Sequence, residues 1–263
     1  MTAAAVLFSV PFLKSIPFPW AEYNLFLQAV LLLLSAALIC HAVLSYGIRN
    51  AALLFAVSFL VSYAAEAAGV RWTWPFSSRY HYHPEMTPKL PGGVPLCIPL
   101  VWYALAYSAL VFLRPLSIGR NGSRLTMRLL AKALWCALFI VGTDLVIDPL
   151  GVLSGAWIWH EPGTVYFGVP LGNFLGWFLV GFIICGAFLA LEGPSPVSVF
   201  EERLSLDGMF VAASVFQTGL CFAGCIVNLN SAVPVVSAAA FMLPCWIYWI
   251  VSASKIQKTR NRA

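Results

Sequence analysis

Charge is what this sequence has least of: Asp, Glu, Lys and Arg together make up 10% of its 263 residues, against 61% hydrophobic residues. A soluble domain covers itself with roughly 25% charged residues, so a water-soluble fold is not expected and lipid is the implied solvent. Signature motifs are missing too. The chain has no P-loop, GxGxxG turn, GxSxG elbow, HExxH or DDxxD, so NTP hydrolysis, hydride transfer and zinc-protease chemistry have no support. The basic residues do not cluster on an aromatic-rich soluble face, and nucleic acid is not an expected partner. No charged run precedes the apolar N-terminal stretch, and Pro11, Pro17 and Pro19 interrupt it. It reads as a short interfacial or re-entrant segment, not as a cleaved leader. The seven cysteines are odd in number and lie in apolar segments. They read as small buried residues and not as a disulfide framework, Cys221 and Cys225 included.

What the chain does have is seven apolar runs, at about 22–46, 50–68, 93–113, 128–147, 171–191, 209–228 and 231–252. At roughly 20 residues per span they predict one all-α transmembrane domain over 1–263, a polytopic bundle of about seven helices. The second run is short and is expected to end near Glu66. With the N-terminus outside, eleven Lys and Arg fall on inner segments (Arg49, Arg114, Arg120, Arg124, Arg128, Lys132, Arg203, Lys255, Lys258, Arg260, Arg262) and four on outer ones (Lys14, Arg71, Arg79, Lys89). That bias sets an outside N-terminus and a cytoplasmic C-terminus. The segment 192–208 reads as a polar cytoplasmic loop.

Two outer loops, 69–92 and 148–170, exceed 20 residues each and are rich in Trp and Tyr. Loops of that length in a compact protein are functional or disordered, and this aromatic composition argues against disorder. An aromatic belt at the membrane interface accounts for any single Trp or Tyr. It does not account for the acids and histidines interleaved with them.

Ionisable residues inside spans are expensive and face the interior or a site. Glu66 stands near the outer end of the second run, and Asp144 lies inside the fourth. Asp148 follows four residues later, on the same helix face. Each has a plainer reading: Glu66 as a solvated interfacial residue, Asp148 as a turn residue before Pro149, which is expected to end the helix. Asp144 is hardest to explain that way. A carboxyl buried in an apolar cavity keeps its proton and can serve as a general acid. His81, His83, His160 and Glu161 lie in the same two loops, but the spacing is too weak for a metal site and none is expected. Glu85 and Arg79 could pair with each other or with loop backbone. His41, near the inner end of the first run, reads as structural.

Two stretches together resemble a known family. The first is Glu66-x-x-Gly69, Pro75-Phe76-x-x-x-Tyr80-x-Tyr82, then Gly93-Val94-Pro95-Leu96-x-Ile98-Pro99-Leu100-x-Trp102. The second is Asp144-Leu145-x-x-Asp148-Pro149, Gly155-x-Trp157-x-Trp159, then Tyr166-x-Gly168-Val169-Pro170-x-x-Asn173-Phe174-x-Gly176-Trp177. Over roughly residues 50–190 the chain is similar to the membrane carotenoid 1,2-hydratases, which include γ-carotene 1′-hydratases and bisanhydrobacterioruberin hydratases. It departs from them at Arg71-Trp72-Thr73-Trp74, where bulky side chains stand before the Pro-Phe pair.

The resemblance implies addition of water to the terminal C1=C2 bond of an acyclic carotenoid end group, with no cofactor. Protonation by a carboxylic acid gives a tertiary cation, which aromatic faces stabilise and water captures. Asp144 is the expected donor, with Asp148 or Glu66 placing water or tuning the donor. Tyr80, Tyr82, Trp74, Trp157 and Trp159 are the expected aromatic contacts, and His81, His83 and Asn173 a supporting polar shell. The expected partners are an apolar isoprenoid, the lipid bilayer and other enzymes of the carotenoid pathway, in a bacterial or archaeal cytoplasmic membrane. Two alternatives stay open. A membrane terpene or carotenoid cyclase would use the same protonation but let an internal alkene capture the cation. A non-enzymatic isoprenoid-binding transporter could use intramembrane acids as an ion path.

Overall fold

A computed structural model describes residues 20–114, 125–160, 166–193 and 231–260, with Ile226 and Leu229. Six long helices carry it: α1 (Trp20–Tyr46), α2 (Ile48–Trp72), α3 (Cys97–Phe112), α4 (Leu125–Leu153), α5 (Leu171–Leu191) and α6 (Val233–Arg260). The fold is thus mostly helical, as the apolar runs require. The run at 209–228 apart from Ile226, the N-terminal stretch and the loop from 194 to 208 lie outside the described residues.

Among the described residues, Ile48–Trp72, Met127–Leu153 and Leu171–Leu191 are long and apolar enough to cross a membrane. Shorter apolar helices run over Leu32–Tyr46, Cys97–Phe112 and Val233–Pro244. Leu33, Leu60, Leu175 and Val236 are each more than 60% exposed, the outward apolar side chains of a protein whose solvent is lipid. α3 is different: every side chain from Cys97 to Phe112 is buried except Val101. A helix apolar all round belongs inside, and α3 is the post around which the others stand. α4 packs most closely against α5 and α6, and α2 against α3.

Two helix ends differ from the sequence expectation. α2 does not stop near Glu66 but continues to Trp72, where Thr73 takes a left-handed conformation (φ 68°) and its N–H bonds Gly69 O at 3.0 Å. Glu66 is therefore inside the helix and buried, not solvated at an interface. α4 likewise passes through Pro149 to Leu153. Proline lacks the N–H that would bond the carbonyl four residues back, here Leu145. Tyr166 supplies the missing donor, its hydroxyl bonding Leu145 O at 3.0 Å. Asp148 is consequently a buried helical residue and not a turn residue.

The two long aromatic loops are not plain connectors. Residues Tyr80–Tyr82 (β1) and Trp157–Trp159 (β2) pair antiparallel, with Tyr80 opposite Trp159 and Tyr82 opposite Trp157. His83 N bonds Ala156 O and His160 N bonds Arg79 O, both at 2.9 Å, extending the ladder at either end. Phe76, 1% exposed, enters between α2 and α5. It can do so because Gly69 and Gly176 have no side chains. A Cβ at Gly69 would stand 2.5 Å from the Phe76 ring, and one at Gly176 would stand 2.8 Å from Pro75 O.

Candidate active site

The pleat of β1 sends alternate side chains to opposite faces. Tyr80 and Tyr82 turn inward and are buried, and both reach one carboxylate. Their hydroxyls donate to Glu66 Oε2 at 2.5 and 2.6 Å. The other oxygen, Oε1, accepts from the Trp102 indole N–H at 2.9 Å. Trp102 is held in turn by stacking on Trp177 of α5, ring centroids 4.2 Å apart. Glu66 thus sits where α2, α3 and the ribbon meet.

The second acid group comes from α4. Asp144 and Asp148 are both buried on one helix face. Asn173, in the first turn of α5, bridges them: its amide donates to Asp144 Oδ2 at 3.3 Å and to Asp148 Oδ2. Asp144 Oδ1 is buried and has no hydrogen-bond partner among the described residues. Gly151 leaves room for the Trp157 ring, which lies where a Cβ would be. The Trp157 N–H points toward Asp148 without closing a well-formed hydrogen bond.

The two acid groups form one cluster. Glu66 is close enough to act electrostatically on both aspartates, and Asp148 acts on Tyr80. Among the described residues no Lys or Arg compensates any of the three. Burial first, and then the Glu66 charge, push the Tyr80 and Tyr82 phenols well above their ordinary range. Both therefore stay protonated and remain donors. The chemical capacity is that of a dry acid site with aromatic walls: Trp157 and Trp159 pack on Tyr82 and Tyr80, with the Tyr80–Trp159 centroids 4.7 Å apart.

Of the residues singled out from the sequence, the structure gathers Glu66, Asp144, Asp148, Tyr80, Tyr82, Trp157, Trp159 and Asn173. It leaves three apart. Trp74 is 60% exposed, outside the cluster. His81 and His83 are on the outward face of the ribbon, where His81 Nδ1 meets His160 Nε2 at 2.8 Å and His83 Nδ1 accepts from Glu85 N at 3.2 Å. They do not shelter the acids, because period-two alternation sends them away from the side taken by Tyr80 and Tyr82. His41 bonds the Tyr107 hydroxyl, away from the acids. Among the described residues no three His, Cys, Asp or Glu side chains gather to hold a metal ion. Glu161 lies outside those residues. Trp102 and Trp177 were not foreseen as site residues; the available signal was that both close the two motif stretches.

Comparison with known proteins agrees with this reading at the family level. A family model described as "Carotenoid biosynthesis protein" matches residues 26–244. The chain is 35% identical over 133 residues to a bisanhydrobacterioruberin hydratase from Haloarcula japonica, a match covering 51% of this chain and 43% of the relative. The chain therefore spans less than half the length of that curated relative. No solved structure matches it. The residues matched by the family model, 26–244, contain every member of the acid cluster, and the chain belongs to the carotenoid biosynthesis protein family.

Proposed function

We propose that this protein is a carotenoid hydratase, adding water across the terminal C1=C2 bond of an acyclic carotenoid end group. One observation carries the reading: three buried carboxyl groups without a cationic partner among the described residues, walled by Tyr and Trp, in a chain of a carotenoid-synthesising family. Three negative charges in so small an apolar space repel one another, and the cluster holds protons to relieve this. Asp144 is the donor, through the Oδ1 that has no partner. Its proton goes to C2 of the alkene, leaving the tertiary cation at C1. The electron-rich faces of Trp157, Trp159, Tyr80 and Tyr82 stabilise that cation. Water attacks C1, and its surplus proton returns to the aspartate pair. The sum is alkene plus water to tertiary alcohol, without redox change. That the Haloarcula japonica relative is a hydratase supports this choice over cyclisation.

The proposed setting is one multi-pass domain of about seven spans in a prokaryotic cytoplasmic membrane, the acid cluster toward the outer side. The excess of inner Lys and Arg, eleven against four, supports that orientation.

The test is the pigment profile of cells that make lycopene, with and without this protein. A product heavier by one water, with one deuterium at C2 for each addition carried out in heavy water, is expected. Asp144→Asn should remove at least 100-fold of the conversion, in the range typical for losing a general acid (~10²–10⁴), while the protein still accumulates in the membrane. A product of unchanged mass would make the protein a cyclase, and normal turnover by Asp144→Asn would overturn the assignment of the donor.

A further inference from the structure

The three carboxyl groups are not equivalent, and their hydrogen bonds sort them. Glu66 meets three donors: two phenolic hydroxyls on Oε2 and one indole N–H on Oε1. A carboxylate accepts only, whereas a carboxylic acid carries an O–H that needs an acceptor of its own. The indole N–H of Trp102 can never accept. The phenols stay protonated for the reasons given above, and although a phenol can also accept, a protonated Glu66 would need one of them to turn its own O–H elsewhere. As placed, both hydroxyls meet Oε2 and the indole N–H meets Oε1, so Glu66 is surrounded as an anion is surrounded. The aspartate pair shows the opposite pattern. One amide serves both carboxyl groups, and Asp144 Oδ1 is buried with no partner among the described residues. An unpaired buried oxygen is costly as part of an anion and less so as a protonated group held out to a reactant.

We propose that Glu66 is the permanent anion of the site, fixed by Tyr80, Tyr82 and Trp102, and acts as the counter-ion of the carbocation and not as a source of protons. This rests on the hydratase reading for the cation, but not for the charge on Glu66. A preorganised anion beside the developing cation stabilises the transition state with little reorganisation. The three donors keep that charge affordable where water is excluded. Trp102 and its stacking partner Trp177 are positioning residues: they aim Glu66 and do not touch the reacting carbons.

The experiment is infrared spectroscopy of the purified full-length protein in lipid, wild type against Glu66→Gln and against Asp144→Asn. The expected result is loss of a carboxylate stretch in Glu66→Gln and loss of a protonated-carboxyl stretch in Asp144→Asn. Loss of a protonated-carboxyl stretch in Glu66→Gln would overturn the proposal, whether or not the protein hydrates anything. Trp102→Phe keeps a ring on Trp177 and removes the donor. It serves if Glu66→Gln does not accumulate, and it should shift a carboxylate band and not a protonated-carboxyl band. On pigment, Trp102→Phe should lower kcat on the order of ten- to a hundred-fold with little change in KM. A change in KM alone would reduce Trp102 to a packing residue and overturn its positioning role. Failure of the pigment assay with the infrared result intact would remove the hydratase reading and the counter-ion role, and leave the charge assignment standing.

Discussion

His81 shares a strand with Tyr80 and Tyr82 and does different work because its side chain points the other way. The tyrosines reach Glu66, while the His81 ring meets His160, ring centroids 4.7 Å apart and facing nitrogens at 2.8 Å. An N···N hydrogen bond needs one nitrogen without a proton. Partial burial first, then the charges of His160, Lys89 and His83, hold His81 below the ordinary value of 6.5. A group whose folded value is depressed contributes stability above its unfolded value and loses it as pH falls through the folded one. The bridge should therefore hold at neutral pH and open on acidification. Thermal melting of wild type and His81→Gln should show a small advantage for the wild type at neutral pH that vanishes in acid. An advantage that does not change with pH would mean that the two rings pack without a titrating bridge. The pair joins the two strands on the face opposite the acid cluster, so its loss should loosen the ribbon before it touches chemistry.

Several of the closest approaches between elements are made at glycine. The Pro75–Phe76 corner lies against α5 at Gly176, and Phe76 also touches Gly69 of α2. Pro75 O is backbone and cannot swing aside, so Gly176→Ala should force α5 and the corner apart, costing about 1–3 kcal/mol as other overpacked sites do. Asn173 sits one turn earlier on α5, so activity should fall together with melting temperature. Gly186 is the control on the same helix. A Cβ there meets the Ala133 Cβ at 3.7 Å, an ordinary contact, and Gly186→Ala should be neutral or stabilising through helix propensity. Equal effects of the two substitutions would show that the corner gives way freely. Element scale is also where sequence reading falls short. Glu66, Asp144 and Asp148 stand out because a carboxyl group inside an apolar run needs a reason. The three-residue strands leave no readable period, and Trp102 and Trp177 look like any other core aromatic in a chain this rich in them. The passage of α4 through Pro149 is supported by a tyrosine 17 residues downstream, past the β2 strand, which no local pattern announces.

On the scale of the whole molecule, the site is built where the motif-bearing loops close over the helix ends, and for the proposed hydration the orientation of the chain decides which aqueous phase supplies the water. In that reading the apolar substrate arrives from the bilayer and the water from the side of the ribbon. In the orientation proposed above that side is outside, and the basic end of α6, with Lys255, Lys258 and Arg260, is cytoplasmic. Two positions report on this independently. Lys89 is exposed in the first outer loop, so Lys89→Cys should react with a membrane-impermeant maleimide in intact cells. A fluorescent protein fused after Ala263 should mature and fluoresce, as it does in the cytoplasm. Labelling of Lys89→Cys only after permeabilisation would invert the bundle, and the acid cluster would then draw its water and exchange its protons on the cytoplasmic side. The proposed hydration chemistry would survive that inversion, because it depends on burial and on the hydrogen bonds within the cluster. The external pH dependence would not. With the ribbon outside, turnover in intact cells should follow the pH of the medium; with it inside, turnover should follow the buffered cytoplasm and stay flat as the medium is varied.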